Sequence, residues 1–356
     1  MRIIDNIFKQ KISNKYITML RISPHVPTID NLIFGGSTIG CLYKEVPSYQ
    51  ANQALYEALK CGVRYFDTAP LYGAGLSETR LGAYLPKNLD GKDILISTKA
   101  GRIIKDKKKV TKDDRVEEGY SDVFKTNSFH QNVPVALYTR EGILESVRQS
   151  KQRLQRDFID CLRLHDAEDE ERYAEATAPG AAIDTMVELR RDGVIGEVSL
   201  GLNSSEFLLR FIKKYPAGTF DNIMMAGCWN LIDQDGYELL VECQERNIKV
   251  KNVGIFAAGL LVGSSNYKYN SNIPADVKDK LQKWQKLSEI YNIPMAKLAL
   301  QFAFLPVIID HVAIGIRDGQ RAIANAALFD DSETLVPLEL WKKAQSQGLI
   351  RADIEF

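Results

Sequence analysis

Val63-Arg-Tyr-Phe-Asp-Thr-Ala-Pro-Leu-Tyr-Gly-Ala-Gly-Leu-Ser-Glu-Thr-Arg-Leu-Gly82 is the stretch that decides the fold. Its short apolar run, Val63 to Asp67, stops at Thr68-Ala-Pro70, as a buried strand does when turn residues follow it. A loop then carries Tyr72 away, and Ser77 is a candidate cap for a helix over Ser77–Leu85. The unit is strand, loop, helix. Its strand end delivers two groups able to share a proton, Asp67 and Tyr72.

The same alternation recurs along the chain. Strands are expected at Asn31–Gly36, Val63–Asp67, Ile94–Lys99, Ile159–His165, Glu197–Gly201, Asn222–Ala226, Lys249–Gly254 and Val312–Gly315. Runs of helical period separate them: Ser48–Cys61, Ser77–Leu85, Arg140–Leu154, Ala181–Asp192, Ser205–Lys214, Gly236–Arg246, Ala275–Tyr291 and Met295–Phe304. Ser48 is a further candidate cap, and Asn247 a helix stop. Eight such units close more naturally into a (β/α)₈ TIM barrel than into an open sheet of split strand order. The expected fold class is therefore α/β, a single-domain barrel over residues 1–356 with a long loop after the third strand and a C-terminal extension.

Composition narrows the function. The chain has 356 residues, 45% hydrophobic, enough for a large core. Its 46 basic and 46 acidic residues cancel, which argues against nucleic acid as a partner, since that needs a basic excess. The lysine run from Lys105 to Lys112 is expected to be a solvated loop. Five cysteines, Cys41, Cys61, Cys161, Cys228 and Cys243, show neither CxxC nor metal spacing with the four histidines, so a reducing cytoplasm and no metal are expected. The first residues carry no leader pattern and no apolar run is of membrane-span length, so no membrane is expected as a partner.

A barrel places its chemistry at the C-terminal ends of its strands. Asp67 ends the second, Lys99 the third and His165 the fourth. The long stretch from Gly101 to Thr139 is expected to be irregular, either a lid or a mobile surface excursion. Within it Tyr120, Phe124, Phe129 and His130 are candidates to cover a ligand.

Several blocks together resemble the aldo-keto reductases: RYFDTAPLYGAGLSETRLG around Asp67 and Tyr72, LISTKAGR around Lys99, DFIDCLRLHD around His165, MVELRRDGVIGEVSLGLN, and AIGIRDGQRAIANAAL. The GLSE after Tyr72, the HD after the fourth strand, the GLN ending at Asn203 and the closing LWKKAQSQGLIRADI are most similar to the aldose 1-dehydrogenase branch, which acts on L-fucose, L-galactose, D-arabinose and D-threo-aldoses and includes a pyridoxal dehydrogenase.

The resemblance implies an NAD- or NADP-dependent oxidoreductase with a catalytic tetrad of Asp67, Tyr72, Lys99 and His165. A free phenol, with pKa ~10, is a poor base at neutral pH. Lys99 beside it is expected to favour the phenolate, Asp67 to hold the ammonium, and neutral His165 to orient the reacting oxygen. Tyr72 then carries the proton between the oxygen of an aldose's anomeric carbon and solvent as that carbon is oxidised to a lactone, or to a carbonyl in reduction. By resemblance Gly36, Asn203, Gly254, Phe256, Gly259, Leu260, Gly315, Arg317, Gln320, Arg321 and Asn325 bind the dinucleotide, and Arg317 and Arg321 are candidates for a 2′-phosphate. Ala226 and Ile255 depart from the family pattern, where many relatives have glutamine and proline. Phe129, His130 and Trp229, with Asn230, are the expected substrate contacts. A small sugar or aldehyde is the expected partner, bound by a monomer or a homodimer. An aldehyde or pyridoxal oxidoreductase on the same tetrad is the alternative, and a non-catalytic cofactor-binding regulatory subunit is a third possibility on the same fold.

Overall fold

The computed structural model describes residues 19–265, 267, 272–330 and 334–356, with the side chains of Phe129 and Asp330 set aside. The N-terminal segment expected to carry no leader lies in residues 1–18, outside the described residues.

Among the described residues, eight parallel strands close into a barrel. In chain order they are Leu32–Gly35, Tyr65–Asp67, Leu95–Ala100, Ile159–His165, Ile195–Leu202, Asn222–Ala226, Lys249–Val253 and Ile309–Gly315. Each pairs with its neighbours in sequence, and the first pairs with the eighth, Leu32 opposite Val312 and Phe34 opposite Ile314, so the barrel itself has no open edge. Helices Ser48–Lys60, Leu76–Tyr84, Arg140–Leu154, Ala182–Arg191, Ser205–Lys214, Tyr237–Glu245, Met295–Ala303 and Gly319–Asp330 lie between or after the strands. None of the described helices is long and apolar enough to cross a membrane.

The helices are amphipathic, and their apolar stripes pack on the outside of the barrel. Ala51, Ala54, Leu55 and Ala58 of the first helix are fully buried, at a spacing of three to four. The helix caps differ from expectation. Pro47, not Ser48, precedes the first helix, suited to that place because it has no amide to leave unpaired. The second begins at Leu76 after Gly75, and Ser77 uses its hydroxyl inward instead, donating to the Gly36 carbonyl at 2.8 Å. Asn247 stops its helix as expected, in the left-handed region at φ 54°.

The largest departure is the segment 101–139. It is not irregular: Arg102–Asp106 and Asn132–Ala136 pair as an antiparallel ribbon, Ile104 opposite Pro134. Single helical turns, Tyr120–Val123 and Ser128–Gln131, lie between the two strands. Alternating residues such as Arg102, Ile104 and Val133, Val135 carry this pattern, but charged neighbours dilute it below the period expected of a core strand. The lysine run sits at the far end of the ribbon, with Lys107, Lys108 and Lys109 exposed.

The C-terminal helix Leu338–Ser346 packs back on the same chain. Trp341 is buried, 6.1 Å from the Phe302 ring and 6.3 Å from Trp284, and Leu349, Ile350 and Ile354 are buried with it.

Candidate active site

The second barrel strand is only three residues long and ends at Asp67, opposite Gly35 on one side and Ser97 on the other. Beyond it the loop is tightly fixed. Gly73, Ala74 and Gly75 all have positive φ, 67°, 51° and 89°, a run of left-handed backbone that explains two glycines in three positions. It turns the chain so that the Ser77 amide bonds back to the Tyr72 carbonyl at 3.1 Å. Thr68 Oγ1 donates to Ser77 Oγ at 2.8 Å beneath this turn.

Those constraints bring Tyr72 over Lys99. The Lys99 ammonium donates to Asp67 Oδ2 at 2.6 Å and to the Thr68 carbonyl at 2.8 Å, and lies 4.7 Å from the centre of the Tyr72 ring. His165 sits edge-on to the same ring, centroids 6.0 Å apart. The three residues that the sequence placed at successive strand ends, and Tyr72 on the loop after the first, therefore form one cluster. Asp67, Lys99 and His165 are buried, and Tyr72 is half-buried.

The electrostatics differ from expectation at one group. Burial pushes the Tyr72 phenol above its ordinary value, and the opposing Lys99 charge does not overcome it. The phenol, not the phenolate, is the resting form. Lys99 is itself raised: burial pulls it down, but Asp67 and Tyr72 return more than burial removes. His165 is held well below its ordinary range by burial and by the cations Arg102 and Lys99, so the ring is neutral.

Several residues not singled out from the sequence complete the cluster. Arg163 is fully buried inside the barrel and donates through Nε to Asp67 Oδ1 at 3.2 Å. Its other nitrogens reach Ser199 Oγ and Asn222 Oδ1, each at 2.5 Å, and Tyr65 Oη at 3.0 Å. Ser97 donates to the same Asp67 oxygen at 2.6 Å. Asp67 is thus held between two cations. Strand parity contains the signal: Arg163 lies two residues before His165 and must share its face. Arg102, also buried, pairs with Glu117, reaches Asp166 Oδ2 at 3.2 Å, and donates to the His165 carbonyl at 3.3 Å. Tyr138 Oη donates to that carbonyl at 2.7 Å. The residue His165 is positioned from behind by groups that belong to the ribbon and the segment after it.

Phe124 from the ribbon insertion lies on Tyr72, rings 5.8 Å apart and tilted 30°. It is buried with Ala69, Leu71 and Ala74, and Tyr120 and Leu42 pack against this group. Two of the expected cover residues, Phe124 and Tyr120, therefore stand at the site. His130 does not. It is exposed and, with Glu45, Lys107 and Lys125, lines a polar cleft of about 500 Å³. Successive residues of the segment face opposite ways, Phe124 onto Tyr72 and Lys125 into that cleft. Phe129 has its backbone in the turn Ser128–Gln131, and its side chain is outside the described set. Trp229, also expected at the substrate, is fully buried and stacks on Phe302 of the helix Met295–Ala303 at 5.2 Å. Asn230 is buried beside it, its side chain accepting from the Ile232 and Asp233 amides.

The positions expected to hold a dinucleotide fall on the rim of strands five to eight. Asn203 is exposed after strand five, and its amide nitrogen is committed to Glu168 Oε1 at 2.9 Å, which leaves the amide oxygen to accept from a ligand. After strand seven, Ala257 and Ala258 are held at φ 49° and 57° next to Gly259 at 91°. Such non-glycine backbone is strained, and the turn closes on itself, the Ala257 amide donating to the Gly254 carbonyl and the Gly259 amide to the Phe256 carbonyl, each at 2.9 Å. Gly254 opens this turn and Phe256 half-covers it, whereas Leu260 is buried and belongs to the core. Gly315 and Gln320 are exposed, with Asn325 half-buried one turn on. Arg317 and Arg321 both turn onto Asp318 Oδ2, at 3.6 and 3.5 Å, so a 2′-phosphate would have to compete with that carboxylate. Gly36 stands apart from these, just after strand one: a side chain there would meet the Asp67 carbonyl at 2.7 Å and Ser77 Oγ at 2.8 Å, so close packing requires its glycine. The rim thus suits an extended dinucleotide from Asn203 round to the strand-eight helix.

Comparison with known proteins agrees with this geometry. The model of the Aldo/keto reductase family matches residues 31–333. D-threo-aldose 1-dehydrogenase from Pseudomonas sp is 30% identical over 333 residues, covering 90% of this chain and 95% of that protein. Pyridoxal 4-dehydrogenase from Microbacterium luteolum is 27% identical over 340 residues, covering 91% and 95%. Among solved structures, the glycerol dehydrogenase from Gluconobacter oxydans superposes with a TM-score of 0.67 at 19% identity, covering 95% of this chain and 97% of that one. A barrel of this order, the cluster at its strand ends and a family match across most of its length lead to one conclusion: the chain belongs to the aldo/keto reductase family.

Proposed function

We propose that this protein is an NAD- or NADP-dependent aldose 1-dehydrogenase that oxidises the anomeric carbon of a sugar to a lactone, with Tyr72 as the proton carrier. The observation that carries the reading is the cluster itself: a phenol over an ammonium that is 2.6 Å from its counter-ion, with a neutral imidazole edge-on to the phenol. The relative D-threo-aldose 1-dehydrogenase supports the sugar as substrate. When bound, the nicotinamide supplies or removes the hydride.

The chain's own residues supply the rest. Tyr72 is protonated at rest, so it is ready to donate to a carbonyl oxygen. To accept a proton from a sugar hydroxyl it must first release its own, and the fixed charge on Lys99 lowers the cost of that step. Two acceptors, Asp67 Oδ2 and the Thr68 carbonyl, keep the ammonium from drifting to solvent. His165 is neutral and offers a ring nitrogen to the reacting oxygen without adding charge. Phe124 covers one face of Tyr72 and keeps water from the phenol. Asn203 and the turn from Gly254 to Gly259 would hold the two ends of the nicotinamide half. The test is absorbance of reduced nicotinamide with NAD and NADP against L-fucose, L-galactose, D-arabinose and pyridoxal, run beside Tyr72→Phe. The expected result is turnover of an aldose that falls at least ~100-fold in the variant, the low end of acid–base contributions, with dinucleotide affinity by fluorescence unchanged. Near-normal turnover by Tyr72→Phe refutes the proton role.

A further inference from the structure

The residue that follows His165 has an unusual backbone. Asp166 stands at φ 46°, in the left-handed region, which side-chain-bearing residues adopt at a cost. Its carboxylate lies beside the catalytic cluster. Oδ2 is 3.5 Å from His165 Nε2 and 3.2 Å from the Arg102 guanidinium. Oδ1 makes one long contact, 3.4 Å from Asn203 Nδ2. Arg102 is itself fixed by Glu117, which a second arginine, Arg172, holds at 2.5 Å. The Asp166 side chain is 19% exposed, against 1% for Arg102 and 4% for Glu117, so within this ionic cluster it is the carboxylate that reaches the open end of the barrel.

A carboxylate in this state has one oxygen anchored and one able to accept. In a site that closes over a ligand, that second oxygen loses water and must gain an O–H or N–H donor in its place, or the complex is penalised by an unpaired buried acceptor. The position selects which donor. Vicinal oxygens on a carbon chain are separated by about one hydrogen-bond length, so a reacting oxygen seated on His165 Nε2 and Tyr72 leaves its neighbour facing Asp166. Phe124 covers Tyr72 with an apolar face, so the polar demand of the pocket falls on the His165 side.

We propose that Asp166 is the specificity residue of this site: Oδ1 accepts a hydrogen bond from the hydroxyl on the carbon next to the reacting one, so that the protein selects α-hydroxy carbonyls and the sugars that present them. This rests on the reading of Tyr72 and His165 as the seat of the reacting oxygen. It adds a reason why a simple aldehyde is disfavoured on the same tetrad, since such a molecule leaves the carboxylate dry and unpaired.

The experiment compares reduction of glyceraldehyde and propanal, which differ in their hydroxyls, by the wild type, Asp166→Asn and Asp166→Ala, with NADH and NADPH. A site built to bond a hydroxyl rejects the analogue without it strongly, so wild-type kcat/KM is expected to favour glyceraldehyde by at least ~100-fold. In Asp166→Ala the preference is expected to fall below ~10-fold through loss on glyceraldehyde alone, and Asp166→Asn, which keeps an acceptor oxygen, is expected to lie between. The ratio separates specificity from general damage, because a loosened site loses both aldehydes together. A preference that survives in Asp166→Ala, a parallel loss of both substrates, or a wild type without preference overturns the proposal. A wild type that reduces neither aldehyde with either dinucleotide overturns this proposal, while the tetrad reading stands or falls on sugar oxidation by the wild type and Tyr72→Phe.

Discussion

His165 shows how little room the site leaves for a charge. Its ring is buried, and two cations, Arg102 and Lys99, add to what burial already does, so its pKa lies well below the ordinary histidine range. The sign of the consequence follows from linkage. Below pH ~6.5 an unfolded chain binds a proton at this position that the folded protein refuses, so stability is full above that pH and declines as pH falls from it toward the depressed folded value. The slope from one such group is at most about 1.4 kcal/mol per pH unit. Urea unfolding between pH 7.5 and 5 is expected to show a shallower acid loss in His165→Gln than in the wild type; equal slopes would mean that the ring is charged when folded. Activity is expected to show no inflection from this residue near pH 6.5. The residue identities were all legible in the sequence, because Asp67, Lys99 and His165 stand at successive strand ends and Tyr72 on the loop that follows the first of them. Their electrostatic state was not: whether Lys99 or burial controls Tyr72 depends on how deeply the phenol sits, a property of packing and not of spacing.

The ribbon is the element that the sequence rendered least well. A stretch with many charges and no steady period reads as loop, and only the pairing of Arg102–Asp106 with Asn132–Ala136 gives it order. Its first residue explains why it is anchored to the barrel. Arg102 bonds Glu117 within the insertion, the His165 carbonyl at the end of the fourth strand and Asp166 just beyond it, with Arg102 and Glu117 themselves buried. The insertion is therefore tied to His165 by buried charge, which makes it a fixed wall and not a free excursion. Removing one partner of such a pair leaves the others uncompensated. Arg102→Met is expected to raise amide hydrogen exchange at Ile103, Ile104, Val133 and Val135 at least ~10-fold while the barrel strands keep their protection, a local and not a global opening. Unchanged exchange in the ribbon would show that strand pairing and the Gln149 bonds to the Ile104 backbone hold it without Arg102. Phe124, carried by the same insertion, is expected to lose its place on Tyr72 in that variant, which raises KM more than it lowers kcat.

At the scale of the whole molecule the barrel was the most legible feature, since eight strand-and-helix units in sequence order admit few closures, and the first strand pairs with the eighth as closure demands. What sequence order does not show is that the barrel's interior is in part polar. Arg163 is at its centre, bridging the second, fourth, fifth and sixth strands through Tyr65, Asp67, Ser199 and Asn222. Close by, Lys251 of the seventh strand meets Asp310 of the eighth at 2.7 Å and His311 at 3.0 Å. A buried guanidinium is costly to desolvate, and its value lies in using all its donors at once, so each strand that contributes an acceptor is held in register by the same group. Arg163→Met removes that cation and takes a donor from Ser199, Asn222 and Tyr65, although Ser199 Oγ still donates to Asn222 Oδ1 at 2.9 Å and Lys99 and Ser97 still satisfy Asp67. Unfolding free energy from urea titration is expected to fall by about 3–5 kcal/mol, the range for breaking a buried pair. Arg163→Lys is expected to recover less than half of it, because a single ammonium cannot span four acceptors. A loss under ~1 kcal/mol in Arg163→Met would mean that the apolar packing of the barrel, and not this polar hub, sets its stability, as replacement of buried ion networks by apolar side chains allows.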